Sequence, residues 1–392
     1  MKGTAESGPK QGHLLKRLIL GLYLLCALFA AIHAFILEKK NNPDGDPAKM
    51  KYGNYVHFKL SWIHLAGGKD LYTLDPAEDF DYFKYSPTFA LLFGLIAWMP
   101  DLPGLILWTL LNALLLLFAI RSIPGITDRN KSFILLFLLV EMMTSIQNFQ
   151  SNTLIAGLLV FAFIHLEKNK PALATLFIVL TIYIKLFGGV AFLLYLFYPQ
   201  KGKLVLWTLA WFAILLLLPL PLTGFGYLVS LYKSWFTLLA TDHSTSMGFS
   251  VMGWLSSWFG IYCVKNLVLP AGAVACCLPL ISIKKYRLFD FRLLMLTSIL
   301  VWMVIFNHKA ESPTFIIAMT GVAIWFFSRK RTPLRTILVI FTFIFTSLTS
   351  TDLCPRAIHD NFIEPFAIKA FPCILVWILM VTDLFRMKTS TP

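Results

Sequence analysis

The chain is short of charge, and of acid most of all. Charged residues make up 14% of its 392 positions, with 20 Asp and Glu against 34 Lys and Arg. A soluble chain of this length would hold two or three domains and would need far more polar surface to cover them. Cysteine patterning is also missing. Cys26, Cys263, Cys276, Cys277, Cys354 and Cys373 are scattered without metal-ligand spacing. Cys263 with Cys354 is the pair to consider for a disulfide, subject to the geometry that bond demands. No internal repeat is visible, whereas inverted-repeat transporters often leave hydropathy symmetry and paired broken helices. No small-residue cleavage site follows the first apolar run, which therefore reads as a retained helix and not a signal peptide. Nothing resembles a nucleic-acid-binding module, so the net charge of +14 points to anionic phospholipid headgroups.

Apolar sequence is what the chain has in quantity. Hydrophobic residues reach 58% and mean hydropathy is +0.73. A bilayer core takes about 20 apolar residues per helix. The expectation is an all-α polytopic membrane protein, one domain over residues 1–392. Its spans fall near 18–37, 103–121, 132–147, 152–166, 171–185, 187–199, 203–220, 265–283, 292–306, 313–328, 334–350 and 366–385. The pair on either side of Lys185 is short, which implies tilt or partial depth.

Orientation follows from the basic residues, which mark cytoplasmic loops. With both termini in the cytoplasm, most of the Lys and Arg residues fall in the inner loops, such as Arg121, Arg129 and Lys131, or Arg329, Lys330, Arg331 and Arg335. This assignment requires the apolar stretch 86–100 not to cross. It is therefore read as an interfacial or half-inserted helix of a long first outer loop, residues 38–102. Within that loop, Tyr55, Phe58, Trp62 and Leu65 recur at helical spacing, with His57 and His64 on another face. Such a helix is expected to lie on the membrane with its aromatics down and to end at Gly67-Gly68.

On this topology the polar clusters that are not simply basic share the outer side. The first loop carries Asp70, Asp75, Glu78, Asp79 and Asp81, which are either a solvated acidic loop or the source of a general base. Asp79-Phe80-Asp81 has the Asp-x-Asp spacing with nothing beside it to support a metal. Gln147, Asn148, Gln150 and Asn152 exceed what a tight turn needs. Amides cap helix ends, and they also bind sugar hydroxyls because each donates and accepts. Asn307 and Tyr85 join them as candidate sugar contacts. Lys185 interrupts an apolar stretch, either snorkelling or meeting an anion at the interface. Asp242 and His243 are a candidate acid–base pair, though chain neighbours often point apart. The aromatic segment 249–259, with Trp254 and Trp258, reads as an interfacial anchor. Asn307-His308-Lys309-Ala310-Glu311-Ser312-Pro313 is the densest cluster, with Arg356, His359 and Asp360 a looser one. Glu141 is a lone acid inside a span, either protonated or hydrogen-bonded within the bundle.

Four segments in order carry a family resemblance. They are Asn54-Tyr55-Val56 through Ala66-Gly67-Gly68-Lys69-Asp70-Leu71-Tyr72; Lys84-Tyr85-Ser86-Pro87-Thr88-Phe89-Ala90-Leu91-Leu92; Asn148-Phe149-Gln150-Ser151-Asn152; and Pro171-Ala172-Leu173-Ala174 through Ile184-Lys185-Leu186-Phe187. Together with residues 307–313 they resemble glycosyltransferase family 87, the polyprenol-phosphate-mannose-dependent mannosyltransferase-like proteins of the GT-C fold. The resemblance implies a GT-C-like bundle of about twelve spans in a bacterial-type inner membrane. It implies transfer of a hexose, with mannose first in line, from a polyprenyl-phosphate sugar to a hydroxyl of a glycan or glycolipid acceptor. Transfer would occur on the extracytoplasmic face with inversion and without an obligatory metal or other cofactor. Lys185, Lys309 and Arg356 would hold the donor phosphate, with His308 as a donor. Asp81, Asp70, Glu311 or Asp242 would deprotonate the acceptor.

One position departs from the family. Its pattern has Asp, two residues, then Tyr ahead of the Gly-Lys-Asp-Leu-Tyr stretch, and that Asp is the expected base. Asn54 stands at the matching position, followed by Phe58 and no aspartate. An amide accepts no proton at neutral pH. Another outer carboxylate serves, the correspondence shifts by some residues, or activity is altered or lost. The rival readings are a lipid-linked glycan transporter, which needs a polar path across the bundle, and an inactive relative that binds lipid-linked sugar.

Overall fold

The computed structural model describes residues 9–42, 50–74, 81–241, 247–262 and 265–388, with side chains from residue 12 on and none for Lys265. Among these residues the chain is helical and has no strand. The first helices are α1 (Pro9–Asn41), α2 (Gly53–Gly67), α3 (Pro87–Ala97) and α4 (Asp101–Ser122). Next come α5 (Asp128–Gln147), α6 (Asn152–Glu167) and α7 (Pro171–Ile184), then a 3-10 helix, Leu186–Phe197. They are followed by α8 (Lys201–Leu217), α9 (Leu220–Thr241), α10 (Val251–Phe259) and α11 (Lys265–Cys277). The last are α12 (Phe289–Ile305), α13 (Phe315–Phe327), α14 (Pro333–Thr342) and α15 (Phe371–Arg386).

Side-chain chemistry sets several of these boundaries. Ser86, Thr127, Ser250 and Thr332 each accept a backbone N–H at the start of α3, α5, α10 and α14. Gly68, in the left-handed region at φ 71°, closes α2 as expected. Helices α6, α12 and α13 are buried on almost every face, as befits helices that are apolar all round, and they form the centre. Around them α1, α8 and α14 leave large apolar side chains outside, including Leu18, Leu25, Leu206, Leu209 and Ile337. So much uncovered apolar surface on long helices fits a lipid environment.

Among the described residues, three helices are long and apolar enough to cross a membrane: Gly12–Asn41, Asp101–Ser122 and Pro333–Ser350. A fourth is added if α8 and α9, bent by 93° at their junction, count as one broken span. The other apolar helices are shorter. The 14 residues of α7 rise about 21 Å at 1.5 Å per residue, less than a hydrocarbon core of about 30 Å. The 11 residues of α3 are shorter still, consistent with a stretch that does not cross.

One expectation about this region needs correction. The aromatic face of α2 does not lie on lipid. Tyr55 and Phe58 are fully buried, and the Phe58 ring packs edge-on against Phe89, Phe93 and Trp108 at 5.0–5.8 Å. His57 and His64, placed on another face, are buried as well. The helix is pinned at its side by Lys59, whose ammonium meets Asp101 Oδ1 at 2.6 Å.

Of the two readings of Glu141, the structure shows the partner within the bundle: Lys369 Nζ lies 3.0 Å from its Oε1. Asn112, a buried amide inside α4, accepts the Leu154 N–H and donates to the Trp108 carbonyl, which stitches α4 to α6.

The ends of the helices sort by chemistry. At one end Glu167 receives a bidentate Arg292 at 2.6 and 2.7 Å, Asp383 receives Arg335 at 2.8 and 2.9 Å, and Lys16 meets Asp128. These pairs join α6 to α12, α14 to α15 and α1 to α5. The opposite end carries the amides and carboxylates of the predicted outer loops. Cys354 holds a free thiol there, while Cys263 lies outside the described residues.

Candidate functional site: a cavity with an amide relay

At that opposite end, α2, the segment before α3, the α5–α6 turn, the break after α7 and the loop 307–313 enclose a cavity of about 270 Å³. Its wall includes Asn54, Asp81, Tyr85, Gln150, Lys185, Asn307, Lys309 and Glu311. Eight of the sequence candidates thus meet in one place, drawn from five separate segments.

A continuous hydrogen-bond relay runs along the cavity wall. Gln150 donates from Nε2 to Glu311 Oε2 at 2.7 Å. Asn152 donates to Gln150 Oε1 at 2.6 Å, and Lys185 Nζ donates to Asn152 Oδ1 at 3.0 Å. A carboxylate and an ammonium therefore stand at the two ends of a pair of amides, each amide oriented by the charge beside it. Gln150 and Asn152 are both buried; Gln150 still reaches the cavity wall, whereas Asn152 lies behind it and serves the relay alone.

Local backbone geometry explains how the ends are placed. Helix α7 stops at Ile184, and Lys185 is extended at φ −145°, ψ 124°, so its side chain leaves the helix line. A Cβ on Gly188 would collide with Thr181, so only glycine lets the following 3-10 helix fold back this closely. Ser86 donates to the Tyr183 carbonyl at 2.6 Å and fixes the start of α3 beside the break. The Tyr85 ring lies under Lys185 Nζ, 5.8 Å from its centre. Burial pushes the Tyr85 phenol above its usual range, keeping it a neutral donor. Burial in the cavity wall also pushes the Lys185 ammonium below the ordinary lysine range, with the charge of Glu311 working the other way.

The α5–α6 turn is strained to hold its amides. Phe149 adopts φ 53°, rare for a residue with a Cβ, and is paid back by full burial and by Trp108, which donates to its carbonyl at 2.8 Å. Asn54 donates to the Asn148 carbonyl at 2.9 Å, and Asn148 turns its own amide to the Thr144 carbonyl. Gln147 ends α5 and is exposed. Asp81 is half exposed and 3.4 Å from Lys84 Nζ.

The remaining candidates lie elsewhere. Asp70 accepts from Ser234 Oγ at 2.8 Å and from the Tyr72 N–H, tying the first loop to α9 outside the cavity. His308 is half-buried on the polar loop beside the wall, and Arg356 is exposed on a one-turn helical piece, Arg356–Ile358. Asp242 and His243 lie outside the described residues, as do Asp75, Glu78 and Asp79. His359, Asp360 and Glu364 bring potential ligand atoms within 4.8 Å of one another, on a mostly exposed segment. Sequence reasoning did not nominate Lys84, His57 or Leu239 for this wall. Lys369, which donates to Ser312 Oγ at 2.8 Å and Ser350 Oγ at 2.6 Å behind the polar loop, was also missed.

Beside Leu186 the wall passes into a second space. An apolar groove of about 400 Å³ runs between the end of α7, α8 and α9, lined by Tyr183, Leu186, Phe212, Leu216 and Phe236. Leu186 belongs to both surfaces.

The described residues thus gather lysines, amides and a carboxylate in one end cavity, next to an apolar groove. Residues 83–351, more than half of the chain, match the family described as glycosyltransferase family 87, and the chain belongs to that family. It is by class a membrane glycosyltransferase. No curated protein matches it closely enough to count as a relative.

Proposed function

We propose that the chain transfers a hexose, mannose first among candidates, from a polyprenyl-phosphate sugar to the hydroxyl of a glycan or glycolipid acceptor. The observation that carries this reading is the relay from Glu311 through Gln150 and Asn152 to Lys185. Such a donor has three parts, and the molecule offers a fitting surface for each. Its phosphate meets Lys185, Lys309 and Lys84, its sugar meets Asn307, Asn54 and Tyr85, and its lipid tail follows the groove at Leu186.

In the reaction the acceptor oxygen bonds to the anomeric carbon as the bond from that carbon to the phosphate oxygen breaks. The electron pair leaves on the phosphate, and the acceptor proton passes to Glu311. Lysines facing the phosphate act most strongly on the charge that develops as it departs. In-line displacement inverts the anomeric centre. We assign no step to a divalent metal. Glu311 takes the basic role because Asn54 lacks it, and Asp81 is already paired with Lys84.

We place this cavity on the extracytoplasmic face of the inner membrane, with both termini in the cytoplasm and about twelve segments in or across the bilayer. The basic residues at the opposite end support that orientation.

The test is transfer in membranes from polyprenyl-phosphate-mannose and related donors to total lipid acceptors. Transfer that vanishes in Glu311→Gln and Lys185→Met supports the reading. Binding without transfer from any donor supports the rival that Asn54 favours, a relative that only holds lipid-linked sugar.

A further inference from the structure

A larger cavity of about 500 Å³ lies on the far side of the loop 307–313, lined in part by Phe249, Ser256, Ser257, Ser312, His359 and Glu364. Glu311 borders both cavities. We propose that this second cavity is the acceptor site, and that it takes a neutral, hydroxyl-rich head group such as a sugar or polyol. The inference rests on the glycosyltransfer reading above.

Charge separates the two cavities. The first sets Lys84, Lys185 and Lys309 against Asp81 and Glu311 in its wall, a surplus of positive charge. The second has no Lys or Arg among its described lining residues and does have the carboxylate of Glu364. A phosphate is drawn to the first and repelled from the second, while a neutral polyol has no such preference. The second wall instead offers hydroxyls. Ser256 and Ser257 donate to the Gly253 carbonyl at 3.0 and 2.8 Å, which leaves their oxygen lone pairs able to accept from sugar hydroxyls. The volume falls within the range of about 300–1,000 Å³ typical of small-ligand sites.

The partition between the cavities is built firmly. Phe249 donates its N–H to the Ala310 carbonyl at 2.9 Å. Gly248 has φ +50°, and a Cβ there would stand 2.7 Å from the His308 carbonyl oxygen and 2.8 Å from that of Ala310. From below, Lys369 holds Ser312. Among the described residues Gln150 engages one carboxylate oxygen of Glu311, Oε2, from the first cavity. An acceptor hydroxyl entering from the second cavity meets the same carboxylate from its other side. The proton then moves to Glu311 as the acceptor oxygen attacks the sugar held opposite.

The test uses the full chain in lipid nanodiscs, with polyprenyl-phosphate-mannose as donor and two soluble acceptors, methyl α-mannoside and mannose 6-phosphate. Ser257→Trp fills the cavity, and Glu364→Lys replaces its acid with a cation. Ser257→Trp is expected to raise the acceptor KM at least tenfold more than the donor KM. Glu364→Lys is expected to shift preference toward the phosphorylated acceptor by a similar factor. If Ser257→Trp does not fold, the preference shift in Glu364→Lys decides alone. Unchanged acceptor KM and unchanged preference, with transfer intact, overturn the acceptor site and leave the glycosyltransfer reading standing. Absence of transfer from any donor by the folded wild type overturns both.

Discussion

Lys369 Nζ sits 3.0 Å from Glu141 Oε1, with both side chains closed off from solvent, and gives its other protons to Ser312 and Ser350. One ammonium thus joins α5, the end of the span that contains α14, the start of α15 and the residue next to Glu311.

Breaking that pair leaves a buried charge without an opposite charge beside it. Lys369→Met and Glu141→Leu are each expected to cost about 3–5 kcal/mol, whereas the double variant recovers most of the loss. Thermal unfolding in nanodiscs measures both. The double variant still lacks the hold on Ser312, so its transfer rate is expected to stay reduced at restored stability.

Glu311→Gln keeps size and the partner Gln150 but removes the proton acceptor. Transfer is expected to fall about 10²–10⁴-fold in kcat, with donor KM little changed. Asp81→Asn is expected to change kcat by less than tenfold. Steady-state kinetics on the two variants ranks the carboxylates.

Asn54 lines the same cavity as Glu311. Adding Asn54→Asp to Glu311→Gln is expected to return part of the lost rate, because a carboxylate is then restored to that cavity from another side. A double variant no faster than Glu311→Gln alone would exclude Asn54 as a site that can carry the base.

Lys185 must be charged to hold a phosphate, and burial lowers the pH at which it loses its proton. The donor kcat/KM is therefore expected to fall on the alkaline side at a lower pH than an ordinary lysine would give. Lys185→Arg keeps its charge throughout and is expected to lose this limb, even if its peak rate drops because the fork geometry differs from an ammonium. A pH profile of both proteins reads the difference.

Much of this cavity was legible because a helical bundle with alternating direction returns every second loop to the same end. Asn54, Gln150, Lys185 and Glu311 are far apart in sequence yet share that end. Lys369 was not legible. It lies at the edge of an apolar run, where a lysine reads as snorkelling, and its partner sits more than 200 residues away. The covering role of α9 was hidden by Pro219, Pro221, Gly224 and Gly226, which interrupt the helical period at its start. The aromatic face of α2 was legible as a face, but spacing alone does not distinguish lipid from Phe89 and Trp108 as its neighbour.

The groove at Leu186 draws its walls from both α8 and α9, which meet at a 93° bend. For the lipid-linked donor proposed above, a tail lodged there arrives sideways, by lateral diffusion, and never crosses water. Such an enzyme searches a plane and not a volume. Its turnover is then expected to follow the mole fraction of donor among the surrounding lipids, so that diluting the donor with inert lipid slows it even when the total amount in the tube is unchanged.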